Sequence, residues 1–170
     1  MILRKITDWD DAYANSANIP GGESWPARWA LTARAYRDEL HALGRAELDI
    51  SYGDRPRNRF DLFLPESQPK GLVVFVHGGY WLQFDKSFWS HLARGPVENG
   101  FAVAMPSYTL CPSVRVADIT REIGRAIERA AASIDGPLVL TGHSAGGHLV
   151  TRMICAPSPL SATVIGSIVK

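Results

Sequence analysis

Hydrophobic positions along the chain change their spacing several times, and each change marks an element. Residues 1–23 are polar and aromatic with little periodicity, and they run into Ile19-Pro-Gly-Gly, a loop signal. This stretch reads as an arm packed on the body. Residues 26–40 are rich in Ala, Leu and Arg, with proline at a first helical position and Gly44 past the end. That pattern predicts a helix of about four turns. Residues 46–52 and 59–64 alternate apolar and polar around Gly53-Asp-Arg-Pro-Arg-Asn, which predicts a hairpin with one wetted face. The pattern then becomes continuous. Leu72-Val-Val-Phe-Val, Phe101-Ala-Val-Ala-Met and Leu138-Val-Leu-Thr are apolar runs of the kind buried on both faces of a parallel sheet. Helices are expected between them, at 87–98 and at 116–134. In the second, Val116, Ile119, Ile123, Ile127, Ala130 and Ile134 recur at three and four. A hairpin followed by alternating strands and helices predicts a mixed α/β sheet covered on both faces.

Composition narrows the class. The chain has 170 residues, one domain's worth, with 46% hydrophobic and 21% charged residues, so disordered and fibrous architectures are excluded. Eighteen Lys and Arg balance seventeen Asp and Glu, so no basic excess favours nucleic acid or an acidic membrane. The run 72–76 is far too short for a membrane span, and the acidic start reads as no export signal. Two cysteines, Cys111 and Cys155, form no C-x-x-C, which points to a reducing, cytoplasmic setting and to buried, inert thiols.

The chemistry concentrates in two places. Gly142-His-Ser-Ala-Gly146 directly follows a predicted strand and directly precedes a helix-like stretch. A serine on so sharp a strand-to-helix turn has strained backbone, and only small neighbours, here Gly142 and Gly146, let the chain pack around it. This makes Ser144 the candidate nucleophile. His77-Gly-Gly-Tyr-Trp81 follows the strand 72–76. Glycines there let backbone N–H groups converge on a developing oxyanion. Gly78, Gly79 and Ala145 are the candidate donors. Tyr80 and Trp81 would then stand near the acyl site as an aromatic wall, or else fill the core.

Together these motifs resemble the α/β-hydrolase superfamily. The His-Gly-Gly-Tyr-Trp form, Pro106-Ser-Tyr-Thr-Leu-Cys-Pro, Gly142-His-Ser-Ala-Gly-Gly-His-Leu and the N-terminal Tyr13-Ala-Asn-Ser-Ala-Asn-Ile-Pro-Gly look most like its kynurenine formamidase (arylformamidase) branch. The resemblance implies a three-layer α/β-hydrolase fold: a mostly parallel sheet with an N-terminal antiparallel hairpin. The whole of 1–170 would be one domain, with an arm and helix at 1–45 and the sheet core at 46–170. It also implies a cytosolic, cofactor-free hydrolase acting on a small acyl substrate, and no pair of histidines has metal-ligand spacing with a third donor, so no metal is expected. The reaction would be cleavage of an aryl formamide such as N-formyl-kynurenine to kynurenine and formate.

One departure matters. Such an enzyme needs an acid and then a histidine after the serine. After Ser144 there is no Asp or Glu, and His148 is the only histidine. His148 is rooted one helical turn beyond Ser144 and makes a poor base. His143 reads as packing against strands, His77 as structural, and His41 and His91 as lone helix residues. The tail from Thr163 reads as the start of another buried strand, so the chain is expected to be the N-terminal part of a longer protein that ends before the last strands. Three readings stay open: a formamidase, a carboxylesterase on short acyl esters, and a non-catalytic remnant that binds a small molecule or partner. An open sheet edge would favour a homodimer. The charges Arg121, Glu122, Arg125, Glu128 and Arg129 read as a solvated helix face, and Trp25 and Trp29 as helix packing.

Overall fold

The computed structural model describes residues 5–169. Two short helices, α1 (Trp9–Ala12) and α2 (Asn15–Asn18), form the arm, and α3 (Trp25–Ala42) follows. Pro26 sits at the start of α3, where its missing N–H costs nothing, and Gly44 beyond its end has φ +67°. Strands β1 (Ala46–Ser51) and β2 (Arg59–Phe63) pair antiparallel. Then come β3 (Leu72–Val76), α4 (Arg94–Glu98), β4 (Ala102–Pro106), α5 (Val116–Ala131), β5 (Leu138–Gly142), α6 (Ala145–Met153) and α7 (Ala162–Ser167).

The sheet order is β1-β2-β4-β3-β5. β2 meets β4 antiparallel, while β4, β3 and β5 run parallel. Period-two alternation sends Leu72, Val74, Val76, Ala102 and Ala104 to one face, under α5 and α6. Val73, Val103 and Met105 go to the other face, with Tyr36 and Leu40 of α3 and Val97 of α4. This is the three-layer arrangement of the α/β-hydrolase fold.

Four expectations need correction. The hairpin is not wetted along both strands: β1 is mostly exposed, but four of the five residues of β2 are buried because β4 and both helix layers enclose it. Asp61, on β2, is wholly buried, and its Oδ1 accepts from Lys86 Nζ at 2.6 Å. The stretch 87–98 is not one helix. It breaks into 3-10 turns at Lys86–Phe88 and Ser90–Ala93, and α4 starts afresh at Arg94. Pro96 explains the break: it has no N–H to give and fits only a first turn. The tail from Thr163 is helical rather than extended. Ser161 caps α7 by accepting from the Val164 N–H, and pairing begins only at Ile168, which bridges Leu138 in parallel. Lys170 lies outside the described residues, as does the start of the arm. Finally, Glu122 is not on a solvated face. It is buried, accepts from the Thr109 N–H at 2.8 Å and pairs with Arg55 at 3.5 Å.

Candidate active site

The site is built where β3 and β5 end side by side. Their register pairs Val76 with Gly142, and the His143 N–H donates to the Val76 carbonyl at 3.1 Å. The chain then turns sharply into α6. Ser144 has φ +52° and ψ −117°, a region that non-glycine residues rarely occupy. It is exposed, and α6 begins at the next residue.

The glycines explain how the turn fits. A Cβ on Gly146 would stand 1.9 Å from the Val76 carbonyl oxygen, and one on Gly142 would stand 2.5 Å from Gly146 backbone. Strand, turn and helix are therefore in direct backbone contact. The loop after β3 closes on the same point. A Cβ on Gly78 would meet the His143 carbonyl at 2.7 Å, its Nδ1 at 2.9 Å and Ser144 Cβ at 3.1 Å. Gly79 has φ +117° and lies against the Gln83 carbonyl and the Phe84 ring. The N–H groups of Gly78, Gly79 and Ala145 donate to no acceptor among the described residues.

So the structure brings Ser144, Ala145, Gly78, Gly142 and Gly146 together, with Gly79 next in the loop. Tyr80 and Trp81 diverge. Both have positive φ, and their side chains make different contacts. Tyr80 is 45% exposed, and its hydroxyl donates to the Tyr13 carbonyl in the arm at 3.3 Å. Trp81 packs on the inner core and stands edge-on to His148, ring centres 5.4 Å apart at 87°. His148 thus faces Trp81, one turn along α6 from Ser144.

His77 is buried and stacked on Tyr108 at 4.3 Å and 8°. Its Nδ1 lies 2.7 Å from the Gly78 carbonyl, and the Tyr108 hydroxyl donates to the His77 carbonyl at 3.0 Å. Burial pushes its pKa down to about 4, so it is neutral at pH 7. His143 does not pack among strands. It is exposed, and its ring rests 5.4 Å from that of Trp89. Cys155 is exposed rather than buried, and Cys111 is half-buried; both are free thiols.

An aromatic cluster behind the loop has no counterpart in the sequence reading. Trp29, Phe84, Trp89 and His143 touch in series, with Trp29 and Trp89 only 4.9 Å apart. The density of aromatic residues at Phe84, Phe88 and Trp89 was its one visible sign. Among the described residues, no three His, Cys, Asp or Glu side chains are grouped to hold a metal ion, and no helix is long and apolar enough to cross a membrane.

Residues 60–156 match the BD-FAE family. A kynurenine formamidase of Drosophila melanogaster is 30% identical over 123 residues, covering 70% of this chain and 38% of that one. An isoprenylcysteine alpha-carbonyl methylesterase of Arabidopsis thaliana is 34% identical over 108 residues, 59% of this chain and 25% of its own. A solved structure from Silicibacter sp. TM1040, provisionally named a thioesterase, superposes with a TM-score of 0.89 at 57% identity. That match covers 93% of this chain and 59% of the other. This chain thus spans well under half the length of the curated relatives it matches. The matched segment carries the loop after β3, the strand β5 and the Ser144 turn, and on this evidence the chain belongs to the BD-FAE family of the α/β-hydrolase superfamily, on a branch similar to the kynurenine formamidases.

Proposed function

We propose that the protein is a serine acyl hydrolase whose substrate is an aryl formamide of the N-formyl-kynurenine kind. The observation that carries this reading is Ser144: exposed, strained, at the C-terminal edge of a parallel sheet, with Gly78 backbone packed against it. The Ser144 hydroxyl attacks the formyl carbonyl. The N–H groups of Gly78, Gly79 and Ala145 receive the negative charge that develops on its oxygen. The C–N bond breaks, the amine leaves with a proton, and water then releases formate from the acyl-enzyme. Within residues 1–170 only His148 follows Ser144, and its ring stands edge-on to Trp81, so this reading does not assign it the role of general base.

The similarity to a methylesterase supports a second reading, hydrolysis of short acyl esters by the same serine. A fluorophosphonate, which modifies only activated serines, separates activity from its absence. The protein at its natural length should gain one adduct by intact mass, and Ser144→Ala should gain none; an unmodified wild type would end both readings. Rates on an aryl formamide and on a short acyl ester then choose between them.

A further inference from the structure

The three N–H donors sit on two separate segments, and something must keep those segments in register. Beneath them the sheet does so, through the β3–β5 pairing. Above the last pair, Val76 with Gly142, the ladder stops. Here the loop is backed by rings. The His143 ring occupies the space a Gly78 side chain would need, and the Phe84 ring does the same at Gly79. Trp89 touches both, at 5.4 Å from His143 and 6.1 Å edge-on to Phe84.

We propose that Trp89 is a positioning residue that locks the Gly78–Gly79 loop to the Ser144 turn; the role rests on reading Ser144 as the nucleophile. Trp89 suits the task because it is itself immobilised. It is 6% exposed, wedged between Trp29 of α3 at 4.9 Å and Phe75 of β3 at 6.3 Å. Its backbone joins two 3-10 turns, with its N–H on the Lys86 carbonyl at 3.1 Å. Among the described residues its Nε1 makes no hydrogen bond, so packing holds the ring. The ring touches one ring on each of the two segments at once.

Because the oxyanion exists only in the transition state, loosening its donors lowers kcat and spares KM. A misplacement near 1 Å costs on the order of 10²-fold. The test is Trp89→Ala with Trp89→Phe beside it, read by hydrogen exchange and by kinetics on a short aryl ester. Four amides report directly: Leu82 and Gln83, bonded to the Gly79 carbonyl, and His143 and Gly146 in the turn. In Trp89→Ala both pairs should exchange at least about tenfold faster while β4 is unchanged, with kcat down roughly 10–100-fold and KM within about twofold. Trp89→Phe should recover most of both. Where Trp89→Ala does not fold, Trp89→Leu is read the same way. Unchanged exchange, a change in only one segment, or a loss confined to KM overturns the role while leaving Ser144 intact. A wild type with neither turnover nor adduct removes the Ser144 reading and this role with it.

Discussion

Gly146 and Gly147 are neighbours with opposite tolerances. A methyl at Gly146 would enter the Val76 carbonyl, whereas at Gly147 the nearest atom is 3.5 Å away. Gly146→Ala should therefore cost about 4 kcal/mol or more, or prevent folding. Gly147→Ala, inside α6, should gain up to about 1 kcal/mol from helix propensity. Urea midpoints compare the two, and equal midpoints would contradict the contact of α6 with β3. His77 gives a prediction in pH. Its folded pKa of about 4 lies below the ordinary 6.5 because burial disfavours the charge. Between those values the unfolded chain binds the extra proton, so stability falls as pH drops from about 6.5 to about 4 and levels off below. The effect is on the order of 3 kcal/mol. His77→Gln should flatten that slope in a pH series of thermal unfolding, and an unaltered slope would assign it to other groups. The turn glycines were legible in the sequence because the motif that carries them, 142–146, spans only five residues. Trp89 was not, because its partners Trp29 and His143 are far away in the chain.

The same contrast holds for whole elements. The three parallel strands were legible because each is a continuous apolar run between loop signals. α5 was legible because its buried positions recur at helical spacing. Glu122 breaks that pattern without breaking the helix: it sits on the inner face, where its carboxylate holds the backbone N–H of Thr109, which follows β4. Glu122→Ala should destabilise by about 2 kcal/mol in urea, chiefly through the orphaned Thr109 N–H. Glu122→Gln, whose amide oxygen can still accept, should recover much of this, and no difference between the two would place the loss elsewhere. The segment 87–98 and α7 were misread for a shared reason. Propensity favoured a helix in one and a strand in the other, but one proline and one capping serine decided the outcome.

At the scale of the molecule, the outer edge of β5 is open beyond its single bridge to Ile168 among the described residues. The polypeptide 1–170 on its own should self-associate through that edge, as unpaired edges do. Thr141→Lys, an exposed position on β5, should shift it toward monomer in sedimentation velocity. A monomeric parent chain would remove the idea. The fold class was legible because hairpin and parallel strands carry different hydrophobic periods. The strand order was not, since it depends on which edges meet in space. That order has a consequence for synthesis. β2 and β3 are consecutive in the chain but never touch, because β4 lies between them. The first three strands cannot join into one sheet until residue 106 has been made. At about 5–20 residues per second, the wait between the ends of β3 and β4 is roughly 2–6 s. During that wait two apolar strand edges stand open on the ribosome. A translational pause inside this window should raise aggregation of the nascent chain, and the same pause placed after it should not.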